Sequence, residues 1–301
     1  VGWRVWLTFG ALSVIWGVPY FFIRIAVAEV PPFVVAWSRI TLAALILLPI
    51  AWRRGALPGL RGKWAPVCAF AVVEFVVPFS AISVGERWIG SAISGILIAG
   101  VPLTVVVLSR FFDVHEPLGT RRLLGLVIGF LGVAALVGFG PVSGVLGWAG
   151  VGCMLLATLG YAVGPLIIQR HLSGPDSLGP VAASLTIASL VLLLPAVLTF
   201  PTRLPSLTSL ASIVVLGVLC TAIAMLLMFY LVGQAGASRA SIITYINPVV
   251  ATLLGAGFLH ERLGLGGTIA FGIILAGSWL ATHVEVRVSD KGSPFGQSRR
   301  A

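Results

Sequence analysis

Long apolar runs separated by short polar connections fill almost the whole chain. Ten of them, at approximately 3–24, 33–51, 65–85, 91–112, 121–139, 147–169, 178–200, 207–232, 237–259 and 266–284, approach the length of about 20 helical residues that crosses about 30 Å of hydrocarbon. Gly and Pro punctuate the connections at Pro31-Pro32, Pro58-Gly59, Pro141, Gly174-Pro175, Pro201 and Gly264, as helix-ending residues do. After Ser289 the text becomes polar and Gly/Ser-bearing, SDKGSPFGQSRRA, and predicts a disordered tail over 287–301. The pattern therefore predicts an all-α integral membrane protein with ten transmembrane helices.

The runs are one unit written twice. The stretch Ala237 to Glu261, ASRASIITYINPVVATLLGAGFLHE, echoes Ser91 to Glu116, SAISGILIAGVPLTVVVLSRFFDVHE. Each is an apolar span with a central proline and a His-Glu pair just past its end. Sliding the halves past each other superposes Pro102 on Pro248, Glu116 on Glu261, Gly132 on Gly277, Pro49 on Pro195 and Trp16 on Tyr161. Self-similarity of this kind marks repeated structural units. Five spans fall in 1–140 and five in 141–286.

Composition agrees with the pattern: 58% of residues are hydrophobic, 9% are charged and the mean hydropathy is +1.09, outside the range of soluble domains. Nineteen Lys and Arg against nine Asp and Glu do not signal nucleic-acid binding, because the basic residues sit in the connections, where they set topology. With the N-terminus inside, fourteen of them (Arg4, Arg53, Arg54, Arg61, Lys63, Arg110, Arg121, Arg122, Arg170, Arg239, Arg287, Lys291, Arg299 and Arg300) are cytoplasmic. Four, Arg24, Arg87, Arg203 and Arg262, face the other side, and Arg39 lies within a span. Both termini are therefore expected inside. Since five is odd, the second repeat crosses the bilayer in the opposite sense, which is the inverted-repeat architecture of alternating-access carriers. The three cysteines, Cys68, Cys153 and Cys220, lie inside apolar runs and read as small packing residues. The first run is too long for a signal-peptide core.

Trp16-Gly17, the mid-span Pro102 and Pro248 with His115-Glu116 and His260-Glu261 beyond them, and the glycines Gly125, Gly132, Gly272 and Gly277 of the fifth and tenth spans resemble the duplicated EamA domain of the drug/metabolite transporter superfamily. The resemblance covers roughly 5–284 and both copies. Within the superfamily the sequence looks most like bacterial aromatic amino-acid exporters. It departs from the family pattern at Tyr161, where tryptophan is frequent, and at Ala270, opposite Gly125 of the first copy. What the resemblance implies is a basket of ten helices, a central cavity lined mainly by spans 1, 3, 4, 6, 8 and 9, and spans 5 and 10 at the periphery.

Chemistry in the bilayer rests on few residues. Only Arg39 and Glu74 place a charge well within a span, at a cost of at least about 2.5–3.5 kcal/mol that calls for pairing or function. Glu74 suits either a protonatable coupling site and partner for a substrate ammonium, or a neutral hydrogen-bonded group or partner of Arg39. Arg39, close to the outer face, suits a structural residue that snorkels outward. Trp16 and its counterpart Tyr161, with Tyr20, Phe75, Phe79 and Tyr245, lie inside spans rather than in the interfacial belt of Trp3, Trp6, Trp52, Trp64, Trp88 and Trp148. With Ser94, Thr244 and Asn247 they outline an apolar cavity with a few polar groups, the usual character of a small-molecule site. Pro102 and Pro248 remove a backbone donor and predict bends that act as hinges. The glycine spacings, Gly125 to Gly129 among them, read as close helix packing.

No catalytic residues, metal site or cofactor are expected. The histidines lack HExxH spacing and the aspartates stand in connections. Phosphorylated substrates are disfavoured because the second repeat has no mid-span Lys or Arg. The reading is a multi-pass carrier of the bacterial inner membrane. It exports aromatic or other apolar amino acids, or similar small amphipathic metabolites, by alternating access. A monomer suffices, and the partners are substrate and lipid, not nucleic acid. A channel-like facilitator and a non-transporting scaffold or receptor are the alternatives.

Overall fold

The computed structural model describes residues 2–108, 120–139, 142–172, 177–235, 243–262 and 264–282, and all its regular structure among these residues is helical. Among the described residues seven helices are long and apolar enough to cross a membrane: α1 (Trp3–Ala26), α2 (Pro32–Arg53), α3 (Trp64–Gly85), α4 (Ser91–Leu108), α6 (Gly144–Leu172), α7 (Leu178–Leu198) and α8 (Leu207–Leu231). Between and after them lie α5 (Thr120–Phe139), α9 (Ile243–Phe258) and α10 (Gly264–Thr282), whose apolar stretches are shorter. The tail 287–301 and the pair His115-Glu116 lie outside the described residues.

Several helices depart from regular α geometry in ways that periodicity does not announce. Three carry π-helical stretches: Ala71–Val76 in α3, Ile168–Leu172 in α6 and Val215–Ile223 in α8. Such stretches rotate the following side chains relative to a 3.6-residue pattern and recur at functional sites. The offset that superposes Pro102 on Pro248 also carries the α3 stretch into the α8 stretch. In α4 the helix breaks at Ala99-Gly100, just before Pro102. Around Pro248, by contrast, α9 runs through.

The principal packing partners are α2 with α7, α4 with α9, α5 with α10, α3 with α6, and α1 with α8. In addition α1 meets α9 and α4 meets α6, while α2 meets α8 and α7 meets α3. Exchanging the first five helices for the second five leaves this set of partners unchanged. Glycines set the closest approaches. A Cβ on Gly277 would lie 2.5 Å from Gly129 Cα and 2.8 Å from Gly125 O, so α5 and α10 touch backbone to backbone. Hydrogen bonds join α2 to α7 (Thr41 Oγ1 to Ser189 Oγ, 2.7 Å) and α7 to α3 (Ser184 Oγ to Val67 O, 3.0 Å). Outward the bundle is apolar, with Leu194 and Trp52 among the exposed side chains, as hydrocarbon contact requires.

Two carboxylates tie the halves together at one end. The amides of Leu259 and Glu261 both reach Gly255 O, at 3.1 and 3.0 Å, and His260 between them takes φ 54°. This turn swings Glu261 onto the start of α4, where it accepts from Ser91 N at 2.7 Å, Ala92 N at 2.9 Å and Ser91 Oγ at 3.1 Å. A carboxylate there satisfies free amides and meets the positive end of the helix. Glu29, in the α1–α2 turn, plays the corresponding part at α8, accepting from Ser206 N at 2.7 Å and Ser209 Oγ at 3.0 Å. The Ser206 amide, first, and the two serine hydroxyls hold its carboxyl below the ordinary 4.5.

A carboxylate held this way adds stability that is fully present above the unfolded-state pKa and is lost as pH falls through the lower folded value. Glu29→Gln should therefore lower the melting temperature slightly at pH 7, the group being exposed. The gap between parent and variant should close as pH drops below the ordinary 4.5. Paired thermal melts across pH check this, and a gap that stays constant would contradict it.

Candidate substrate site

At mid-depth, between the two groups of five helices, lies a cavity of about 210 Å³. That is below the roughly 300–1,000 Å³ of drug-sized ligand pockets and suits a small metabolite. Helix α1 contributes Trp16, Pro19, Tyr20 and Ile23, and α3 contributes Glu74, Phe75, Phe79 and Ile82. Ile98 and Val101 come from α4, Tyr161 from α6, Asn247 from α9, and Cys220, Thr221 and Met225 from α8. Helix α2 adds Arg39. Among the described residues, helices α5 and α10 add nothing.

One wall is aromatic. Phe70, Phe75, Phe79 and Tyr161 pack edge to face in series, with ring centroids 5.5, 5.7 and 6.5 Å apart, within the range these geometries favour. The π stretch of α3 carries Glu74 and Phe75 together into this wall. Glu74 Oε2 is buried without a hydrogen-bond partner, and Glu74 makes no ion pair with Arg39 among the described contacts. Two glycines of α6 make room for this part of α3. A Cβ on Gly164 would strike Glu74 Oε2, and one on Gly160 would strike Val73 O.

The opposite wall is built on α9. Gly17 lets α1 approach until a Cβ there would lie 2.8 Å from Asn247 O, and Gly95 brings α4 against Ala251 from the other side. The Asn247 amide nitrogen faces Ile243 O and Ser13 O, each 3.0 Å away, the orientation that pairs donor with acceptor. Asn247 thus joins α9 to the backbone of α1 next to Pro248.

Of the residues singled out by sequence, Trp16, Tyr20, Glu74, Phe75, Phe79, Tyr161 and Asn247 are brought together on this cavity. Ser94 is not among the lining residues; it is fully buried and its hydroxyl returns to Gly90 O at 3.1 Å. The side chains of Thr244 and Tyr245 lie outside the described residues. Arg39 does not snorkel: it is 6% exposed and turns toward the cavity. Cys220 and Thr221 were not anticipated, although under the proline superposition they fall on Glu74 and Phe75 and inherit their π-helical setting. Among the described residues no group of three His, Cys, Asp or Glu is placed to hold a metal ion.

Comparison with known proteins meets the same architecture. The EamA-like transporter family matches residues 4–138 and again 148–282. The uncharacterized inner membrane transporter YedA of Escherichia coli K12 is 31% identical over 281 residues, covering 90% of this chain and 88% of YedA. The uncharacterized transporter YvbV of Bacillus subtilis is 27% identical, covering 87% of this chain and 86% of its own. PagO of Salmonella typhimurium is also 27% identical, with coverage of 82% and 83%. A solved crystal structure superposes with a TM-score of 0.67 over 93% of this chain and 97% of the other, and at 21% identity it speaks to the fold alone.

Proposed function

Because the chain belongs to the EamA-like transporter family and is a membrane transporter, we propose that it exports aromatic or other apolar amino acids, or similarly small amphipathic metabolites, across a bacterial inner membrane. The observation that carries this reading is the cavity, which sets an aromatic wall beside a few polar groups between the two sets of five helices. Its size and lining suit a solute with one apolar side chain. Trp16, Tyr20, Phe75, Phe79, Tyr161 and Asn247 line the solute's path, with Thr244 and Tyr245 on the second proline-bearing span.

In this reading all ten helices cross the bilayer as two inverted repeats, 1–140 and 141–286, with both termini cytoplasmic. The set of helix partners that survives exchange of the halves supports the repeat, and the excess of basic residues in alternate connections supports the orientation. The carboxylates Glu29 and Glu261 then stand at the outer end. Alternating access moves one half against the other, with α9 flexing about Pro248.

The test is counterflow in proteoliposomes. Trapped L-phenylalanine should drive saturable uptake of labelled phenylalanine, with tryptophan, tyrosine and leucine competing; absence of exchange for the whole series overturns the amino-acid reading. The unpartnered Glu74 carboxyl supplies a proton-coupling site. Glu74→Gln should retain counterflow at constant pH while losing most of its response to an imposed proton gradient. Equal responses by variant and parent at every pH would remove Glu74 from coupling.

A further inference from the structure

The strongest unassigned feature is the guanidinium of Arg39. It is 6% exposed, and among the described residues lining the cavity it is the one Lys or Arg. A buried cation without a counter-charge is costly, and two contacts offset part of that cost. Nε donates to Thr221 Oγ1 at 2.9 Å. The guanidinium carbon lies 4.0 Å from the centroid of the Phe79 ring, a cation–π contact that offsets part of the burial. No carboxylate pairs with it among the described residues. Arginine has five N–H donors, so with one engaged, four on the two terminal nitrogens stay available.

The surroundings hold those donors in place. Gly217 lets α8 rest on α2, where a Cβ would lie 2.7 Å from Leu42 Cβ and 3.1 Å from Arg39 O. Within the π stretch the Thr221 hydroxyl donates its only hydrogen to Leu216 O, five residues back, at 2.8 Å. Thr221 can therefore only accept from Arg39, and it fixes Nε while leaving the fork free. Phe79 braces one face of the plane. Arg39 is thus an oriented, partner-poor fork on an otherwise apolar cavity, and the group that matches a guanidinium fork is a planar two-oxygen anion.

We propose that Arg39 binds the carboxylate of the transported solute, so that the substrate class is small acids and zwitterions with an apolar side chain, and that Thr221 is a positioning residue for this contact. The proposal rests on the transport reading of the same cavity and narrows it. A single cation in a cavity of about 210 Å³ suits one carboxylate, not the higher charge of a phosphate. The apolar part of the solute then lies against Phe75, Phe79 and Tyr161.

The experiment is binding to the purified full chain in detergent or nanodiscs, read by ligand-induced thermal stabilisation. The probes are L-phenylalanine, 3-phenylpropionate, L-phenylalaninamide and phenethylamine. The two acids should stabilise the parent at concentrations where the amide and the amine do not. Arg39→Gln should weaken acid binding by roughly tenfold to a hundredfold, the range for loss of a charge-assisted contact, and Arg39→Lys by less. Thr221→Val should reduce the preference for acid over amide without abolishing apolar binding. Should Arg39→Gln not fold, the probe series on the parent decides alone.

Equal binding of amide and acid, no binding of either acid, or unchanged acid binding by folded Arg39→Gln overturns the proposal. The two readings fail separately. Acid-selective binding without counterflow leaves Arg39 as the carboxylate site and removes the carrier function. Counterflow that accepts the amide as readily as the acid keeps the carrier and removes the carboxylate contact.

Discussion

Replacing Gly277 by valine is expected to lower the thermal unfolding midpoint by about 2–5 °C, the shift that one to three kcal/mol of overpacking produces in a chain of this size class. The cause is geometric. A Cβ on Gly277 points at Gly129 Cα and at Gly125 O, and these are backbone atoms that no rotamer change can move aside. The α5 and α10 helices must separate, and in a bilayer little apolar driving force returns them, because lipid tails replace the lost contacts at almost no cost. Gly272, on the same helix, is the internal control. A Cβ there meets nothing within 4 Å, so Gly272→Val should melt within about 1 °C of the parent, the range of a neutral surface change. Thermal melts of both variants in one detergent check the pair; similar losses at both positions would mean that helix propensity, not the α5–α10 contact, governs stability.

Sequence reads this protein unevenly, for physical reasons. The apolar runs were legible because hydrocarbon thickness sets their length, and the duplicated proline spans showed which helices correspond. Aromatic residues set deep in spans, such as Trp16 and Phe79, were legible because the interfacial belt does not account for them, and in the structure they line one cavity. Rotation about a helix axis was not legible. Arg39 looked free to snorkel because its depth is readable from the sequence but its direction is not. Only the packing of Gly217 on α2 and the π stretch that turns Thr221 toward it show that it faces inward. Ser94 illustrates the converse: its distance from the mid-span proline was readable, yet its hydroxyl is spent on Gly90 O and its position faces protein. A one-residue change of helical phase is enough to separate these cases, and three such stretches occur among the described residues.

The two prolines that look equivalent in sequence should differ in function. At Pro102 the chain has already left regular helix. Ala99 N is shared between Gly95 O and Ile96 O at 3.1 and 3.2 Å, and Gly100 N reaches Leu97 O at 3.1 Å. Neighbouring helices hold this break from outside: Ser278 Oγ reaches Ala99 O at 3.4 Å, and Thr158, whose hydroxyl hydrogen goes to Met154 O at 2.8 Å, packs against Leu97 O. Restoring an N–H at 102 leaves those contacts in place, so Pro102→Ala should transport within about twofold of the parent, a difference below about 0.5 kcal/mol. Pro248 sits inside a continuous helix, with Gly17 packed against the neighbouring Asn247 O and Val250 and Gly95 against Ala251. Its missing donor is what lets α9 flex there. In Pro248→Ala the new amide bonds to the Thr244 carbonyl. A bond worth about 0.5–1.5 kcal/mol net must then be given up whenever the helix bends. Exchange should slow about threefold to tenfold, with the melting temperature unchanged or slightly raised. Counterflow rates and melts on the two single variants measure both quantities. A parental exchange rate in Pro248→Ala would move the pivot away from α9, and a loss of rate in Pro102→Ala as large as in Pro248→Ala would show that the break in α4 is not held by its neighbours.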